Sequence, residues 1–134
     1  MAEPLEASLK ELVERARQVR ENAHAPYSQF RVGAALRAAS GNVYAGCNVE
    51  NASYGATSCA ERSAIAAMVA AGEREVTAIA VFTDADPPGM PCGICRQVLL
   101  EFGRPGTEIV AASPRVLRRI TLERLLPEPF TLNR

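Results

Sequence analysis

Three cysteines in two short motifs constrain the fold of this chain more than any other sequence feature. Cys92 and Cys95 form C-x-x-C directly after Pro91, and Cys59 opens a second, alanine-rich apolar segment. Both segments are predicted to be helices. Each thiol then lies at a helix start, where unpaired backbone N–H groups and the helix dipole lower thiol pKa values. The sequence therefore predicts that two helix N-termini present three sulphur ligands to a metal ion.

The number of sulphur ligands decides the kind of metal site. Three thiolates with an open fourth position are typical of a catalytic zinc, whereas four protein ligands make a structural zinc. Cys47 is the candidate for a fourth ligand, which would make the protein a non-catalytic zinc module. A lone C-x-x-C could also be a redox pair. His24, the single histidine, has no ligand-spaced partner and is predicted to be a surface or capping residue.

Glu61 follows Cys59 by two residues and is the candidate catalytic group. A carboxylate at this spacing can face the open metal position and shuttle protons to and from a zinc-bound water. The alternative is structural, because Ser58 and Glu61 also fit the S-x-x-E capping box of a helix start. The order C-x-E followed by P-C-x-x-C is the signature of zinc deaminases. This signature favours a catalytic role for Glu61.

Size and charge limit the remaining possibilities. With 134 residues the chain is predicted to form a single domain over residues 1–134. Fifteen basic residues cancel fifteen acidic ones, so the chain lacks the positive field of a nucleic-acid or anionic-membrane binder. No segment has the pattern of a membrane span or a signal peptide. We therefore expect a small-molecule substrate, no nucleic-acid or membrane partner, and a cytoplasmic location.

The pattern of apolar residues predicts alternating helices and strands. An apolar stripe from Leu5 to Ala23 predicts a first helix over about 4–22, beginning near Pro4. Ser40-Gly41-Asn42 predicts a turn between two antiparallel strands. This order indicates one α/β sandwich around a mixed sheet. The remaining predicted elements are strands over 30–36, 43–49, 76–82 and 108–112, helices over 59–71 and 92–102, and one or two short helical pieces over 115–126.

The chain resembles the free-nucleoside cytidine deaminases, in their short, homotetrameric form with cysteine ligands only. Four segments carry this resemblance: Cys59–Arg62, Pro91–Gln97, Phe30–Leu36 and Asn48–Gly55. The zinc motifs alone indicate the wider deaminase superfamily, and the other two segments point to cytidine and deoxycytidine. The resemblance implies a three-layer α/β/α sandwich around a five-stranded mixed sheet, and a homotetramer with shared active sites.

The same resemblance implies a reaction and its cofactor. One zinc ion per subunit is held by Cys59, Cys92 and Cys95. Cytidine and 2'-deoxycytidine are hydrolysed to uridine and 2'-deoxyuridine with release of ammonia, as in pyrimidine salvage. Zinc-bound hydroxide attacks C4 of the base, and Glu61 is the proton shuttle.

The resemblance also implies contacts with the substrate. Phe30 packs against the pyrimidine, and Asn48 and Glu50 bind the ribose hydroxyls. Ala60 and Glu61 contact the polar edge of the base. A neighbouring subunit contributes three further residues to the site: Ala52, Tyr54 and Phe130.

Residue type alone leaves other interpretations of these positions open. Phe30 also fits a core position, and Asn48 and Glu50 fit the solvent face of a strand. Tyr54 fits a plain contact between subunits.

Arg62 and Arg96 flank proposed ligands and are predicted to donate charge-assisted hydrogen bonds to thiolate sulphur. These bonds would offset the negative charge of a three-thiolate site. Their alternative is a surface salt bridge.

Three other functions stay open at this point. They are deamination of an aminonucleoside antibiotic, deamination of cytidine in a polynucleotide, and a non-catalytic zinc or redox module. The zero net charge weighs against the polynucleotide.

Overall fold

The computed structural model describes residues 5–132, which contain five strands and four α-helices. A 3-10 turn also covers Tyr54–Ala56. Within residues 5–132 no helix is both long and apolar enough to span a membrane. The elements are α1 (Ala7–Arg20), β1 (Gly33–Ala38), β2 (Val43–Cys47), α2 (Ala60–Ala70), β3 (Val76–Phe82), α3 (Gly93–Phe102), β4 (Glu108–Ala112), β5 (Leu117–Thr121) and α4 (Leu122–Leu125).

The strands form one mixed sheet in the order β2-β1-β3-β4-β5. β1 pairs antiparallel with both β2 and β3, and β4 pairs antiparallel with β5. β3 and β4 are parallel, and α3 lies in the crossover that parallel neighbours require. The predicted β1–β2 hairpin is confirmed, and its turn places Gly41 at a φ of 97°, a conformation in which glycine is favoured.

Two apolar layers cover the two faces of the sheet. Leu9, Leu12 and Ala16 of α1 pack on one face, against alternate residues of β3 and β4. Residues from α2, α3 and α4 pack on the other face, with Met68 and Leu99 fully buried among them. The side chains of a strand alternate between faces, which is why one strand contributes to both layers. The three-layer α/β/α sandwich around a five-stranded mixed sheet is confirmed.

Two glycines allow the helices to approach the sheet unusually closely. A Cβ atom added at Gly46 of β2 would lie 2.4 Å from the backbone nitrogen of Ala64 in α2. One added at Gly33 of β1 would lie 1.9 Å from the carbonyl oxygen of Ala16 in α1. Neither distance is possible for a real side chain. The close contact at Gly46 fixes the position of α2 on the sheet, and Cys59 stands at the N-terminus of that helix.

The predicted ends of the first elements need correction. α1 covers Ala7–Arg20, and Pro4, the predicted start, lies outside the described residues. β1 begins at Gly33 and not at residue 30, because the side chain of Asn48 binds the backbone of Phe30 and Val32. β2 ends at Cys47, because the backbone of Val49 pairs with His24 and Ser58 and not with β1. The segment 30–32 is therefore held beside the sheet by Asn48.

The helical prediction for residues 115–126 is wrong over most of its length. Leu117–Thr121 is the edge strand β5, and only Leu122–Leu125 is helical. Arg119 lies opposite Val110 of β4, and its guanidinium forms ion pairs with Glu108 and Glu6. Charged side chains of this kind are typical of exposed edge strands, and they hide the apolar alternation by which a strand is recognised. The fifth strand implied by the resemblance is thus present.

Candidate active site

The three predicted sulphur ligands lie together at two helix starts. Cys59 is the residue before α2, Cys92 is the residue before α3, and Cys95 lies in the first turn of α3. Their Sγ atoms all lie within 4.8 Å of one another. Tetrahedral Zn–S bonds of about 2.3 Å require sulphurs about 3.8 Å apart. The donor set and its spacing therefore fit one zinc ion.

Cys47 and His24 do not belong to this cluster. Among residues 5–132, the grouped metal-ligating side chains are those of Cys59, Cys92 and Cys95 alone. Cys47 is half-buried, and burial raises the pKa of its thiol, which disfavours the thiolate that zinc requires. His24 is exposed, as expected for a surface residue. The site thus has three candidate protein ligands, the number typical of a catalytic zinc.

Charge is distributed unequally among the sulphurs. A hydrogen bond from the Cys95 thiol and the Arg62 guanidinium lower the pKa of Cys59 to about 5, against the opposing effect of burial. Because the Cys95 thiol donates its proton to this hydrogen bond with Cys59, the bond raises the pKa of Cys95. The Nη2 atom of Arg62 lies 3.4 Å from Cys59 Sγ and 3.2 Å from the carbonyl oxygen of Thr57. Arg62 is therefore placed as the sequence predicts.

Arg96 is placed differently from the prediction. Its Nε atom donates to the carbonyl oxygen of Pro91 at 2.7 Å, and its Nη1 atom donates to that of Leu125 at 3.0 Å. Neither of these bonds goes to a sulphur. Arg96 therefore ties the loop before α3 to the last residue of α4. It supports the position of Cys92 through the backbone of Pro91.

Glu61 lies in the first turn of α2, and only 5% of it is exposed. Burial raises the pKa of its carboxyl group to about 7. A group with a pKa near neutrality can both accept and donate a proton. The capping-box alternative fails, because Cys59 is the capping residue and no side chain caps this helix. Ser58 instead places its hydroxyl 3.0 Å from that of Ser63.

A cleft of about 340 Å³ opens beside the sulphur cluster. Its size is within the range of small-molecule sites. Glu61, Ala60 and the candidate ligands Cys59 and Cys92 line this cleft, and Cys95 is buried. The remaining wall includes three residues that the sequence proposes as substrate contacts, which are Phe30, Asn48 and Glu50.

Phe30, Asn48 and Glu50 form one hydrogen-bonded unit in this cleft. Phe30 is 42% exposed, so the core interpretation of this residue is wrong. Asn48 is buried, so it does not lie on the solvent face of a strand. Its Oδ1 atom accepts from Val32 N and its Nδ2 atom donates to the Phe30 carbonyl, both at 2.8 Å. Glu50 accepts hydrogen bonds from the turn that precedes Phe30.

Comparison with known proteins explains this combination of features. The family described as the cytidine and deoxycytidylate deaminase zinc-binding region matches residues 6–112. The chain belongs to this family. A curated cytidine deaminase of Halalkalibacterium halodurans is 46% identical, over 90% of this chain and 92% of that protein. A cytidine deaminase of Mycobacterium tuberculosis is 45% identical, over 88% of this chain and 86% of that protein.

Solved structures support the same assignment. The crystal structure of cytidine deaminase from Burkholderia pseudomallei superposes with a TM-score of 0.87 at 48% identity. The superposition covers 90% of this chain and 98% of the Burkholderia pseudomallei chain. The family is a zinc-dependent hydrolase family, and the three-sulphur cluster is where this member can hold its zinc.

Three of the residues implied by the family resemblance lie outside the cleft of the single chain. Tyr54 is 78% exposed, and its ring meets that of Tyr27 edge to face at a centroid distance of 6.4 Å. Ala52 is exposed on the same loop. Phe130 is 68% exposed, and its carbonyl oxygen accepts from Nε2 of Gln97 on α3. Tyr54 lines a depression that adjoins the cleft and shares Ser28, Glu50 and Thr57 with it, whereas Ala52 and Phe130 line neither.

Several cleft residues of this family member are missed by sequence reasoning. They are apolar or small and carry no metal-binding or acid–base signal by type. Ser28 lies two positions before Phe30, and this proximity to a predicted substrate contact is the one signal that could have identified it. The missed wall residues are Ser28, Val32, Thr57, Val81, Thr83, Gly89 and Met90.

Proposed function

We propose that this chain deaminates cytidine and 2'-deoxycytidine hydrolytically, with Glu61 as the general acid–base. One observation carries the proposal: a three-sulphur site for zinc and a buried carboxyl group lie together at a nucleoside-sized cleft. The curated relatives are named cytidine deaminases, which supports the choice of base. Four free cysteines are consistent with a reducing compartment, and we place the enzyme in the cytoplasm.

The proposed chemistry assigns one role to Glu61 at each proton transfer. Zinc, when bound by Cys59, Cys92 and Cys95, supplies a Lewis acid that makes water nucleophilic at neutral pH. Glu61 accepts the proton that the attacking water loses and delivers a proton to N3 of the base. It then passes a proton to the departing amino group. A C4–O bond forms and the C4–N bond breaks, so that water and cytidine become uridine and ammonia.

The proposed binding residues line the same cleft as Glu61. Phe30 offers an exposed aromatic face for the pyrimidine. Asn48 and Glu50 present the polar groups that a sugar hydroxyl can bind. Ala60, at the start of α2, places backbone rather than side chain beside the base. Arg62 stays beside Cys59 and balances the negative charge of the sulphurs.

Charge in the cleft predicts a preference for the free nucleoside. The described wall of the cleft carries the carboxyl groups of Glu50 and Glu61 and no lysine, arginine or histidine. Like charges about 4 Å apart repel by roughly 1 to 4 kcal/mol between the dielectric constants of water and a protein surface. We therefore expect kcat/KM for cytidine 5'-monophosphate to be at least about fivefold below that for cytidine.

Parallel assays of the two substrates at equal ionic strength test this preference. Raising the salt concentration is the control, because screening reduces a charge effect and leaves a steric effect unchanged. Equal kcat/KM values for the two substrates would contradict the proposed substrate class and favour a nucleotide deaminase.

We also propose that four copies of the chain assemble and share active sites. The support is the exposure of Tyr54, Ala52 and Phe130 on a single chain, since exposed aromatic residues are typical of interfaces. A native-mass measurement should give four times the chain mass of 14.4 kDa. A fully active monomer would contradict the roles of these three residues together.

A further inference from the structure

Ser28 lies between two residues of the proposed nucleoside site and has no role in the mechanism above. Its hydroxyl donates to the Glu50 carboxylate and accepts from the backbone N–H of Phe30, the latter at 2.9 Å. One side chain thus contacts both the sugar-binding carboxylate and the backbone of the aromatic residue. Ser28 itself lines the cleft.

Hydrogen-bond capacity at Glu50 shows what Ser28 contributes there. One carboxylate oxygen accepts from the backbone N–H groups of Tyr27 and Ser28, each at 3.0 Å, and the other accepts from the Ser28 hydroxyl. A carboxylate offers about four acceptor positions, so three are taken by this turn. These three hydrogen bonds fix the direction of the fourth acceptor position of the Glu50 carboxylate. Ser28 holds the oxygen that is left for a ligand.

Phe30 is held at both ends of its backbone. Its N–H donates to Ser28, and its carbonyl oxygen accepts from Nδ2 of Asn48 at 2.8 Å. The intervening residue, Gln29, has a φ of 59°, a left-handed conformation that non-glycine residues adopt at a cost. Such a conformation persists only where neighbouring contacts impose it. The bond from Phe30 to Ser28 spans this residue and sets the direction of the aromatic wall.

We propose that Ser28 is a positioning residue for the nucleoside, whose hydroxyl couples the Glu50 carboxylate to the backbone of Phe30 and so aligns the sugar contact with the aromatic wall. The inference rests on the proposed function, because it takes Glu50 and Phe30 as substrate contacts. It assigns Ser28 to substrate binding and not to proton transfer, since its hydroxyl is committed to these two groups.

Kinetics of Ser28→Ala test the inference. The substitution removes the bond to Glu50 and leaves the Phe30 N–H without its acceptor, and loss of a hydrogen bond to a charged group corresponds to roughly tenfold in affinity. We expect KM for cytidine to rise by about tenfold with kcat within about twofold of wild type, the pattern of lost ground-state binding. Ser28→Thr keeps the hydroxyl and should restore most of the loss. A general loosening of the fold would lower kcat as well and would not be rescued selectively by threonine.

Ser40 provides a matched control. Its hydroxyl accepts from the backbone N–H two residues later, at Asn42, as that of Ser28 accepts from Phe30. It lies in the β1–β2 turn and does not line the cleft. Ser40→Ala removes the same type of bond and should leave KM and kcat unchanged.

A double-mutant cycle with Glu50→Gln supplies the second readout. If Ser28 acts through Glu50, adding Ser28→Ala to Glu50→Gln should raise KM by less than about threefold more. An unchanged KM in active Ser28→Ala, or fully multiplicative effects in the cycle, would overturn the positioning role and leave the proposed function intact. Wild-type protein that binds zinc and leaves cytidine unchanged would overturn both.

Discussion

Glu61→Gln is expected to lower kcat for cytidine by at least about 10²-fold in a protein that still folds and binds zinc. Loss of a general acid–base typically costs 10²- to 10⁴-fold, and here one carboxyl group serves every proton transfer. Glutamine has nearly the same shape and cannot exchange protons. Glu61 is buried and is not one of the three clustered ligands, so its replacement leaves the sulphur site complete.

Steady-state turnover, zinc content and a thermal melt of the same preparation check this expectation. Burial of the ionised carboxyl group is unfavourable, so a neutral amide there should not lower the melting temperature greatly. Glu123→Gln on the exposed side of α4 is a control for the loss of one negative charge. Near-normal turnover by Glu61→Gln would exclude it as the proton shuttle and require another acid–base in the cleft.

Cys92→Ser is expected to weaken zinc binding strongly and to lower cytidine turnover with it. Cys92 is exposed at the start of α3, so serine there should cost little packing. Losing a group that merely orients a ligand weakens metal binding by about 10- to 100-fold, and losing a ligand should exceed that. We expect zinc affinity to fall by more than about 100-fold and activity at equal added zinc to fall below about 1%.

Cys47→Ser is the matched control, because Cys47 lies outside the sulphur cluster. It should retain zinc stoichiometry and turnover, with at most a modest loss of stability from the half-buried position. If Cys47→Ser instead matches Cys92→Ser, zinc has four sulphur ligands. The open position needed by the attacking water would then be filled, and the site would be structural.

Sequence reasoning works best where local chemistry determines position. A cysteine before a helical segment lies at that helix's N-terminus wherever the helix packs, so Cys59 and Cys92 are correctly placed. Whether the two helix starts meet depends on the packing of α2 and α3 on the sheet. Close contacts such as that of Gly46 with Ala64 bring this about, and no single motif encodes them.

The errors occur where a distant partner decides the local structure. Residues 117–121 become a strand because β4 offers an edge to pair with, although their own sequence is charged and lacks a clear alternation. Arg96 reaches the Leu125 carbonyl, 29 positions away, and sequence adjacency to Cys95 misleads about its target. The link from Ser28 to Glu50 spans 22 positions and has no signature in the sequence.

The most direct test of the central claim is the ultraviolet absorbance of cytidine after addition of protein with defined zinc content. Zinc-loaded protein should remove the cytidine band and release one ammonia for each uridine formed. Zinc-depleted protein should leave cytidine unchanged until zinc is restored. Folded protein that contains one zinc per chain and leaves the cytidine spectrum unchanged would contradict the assignment of this three-cysteine site to cytidine deamination.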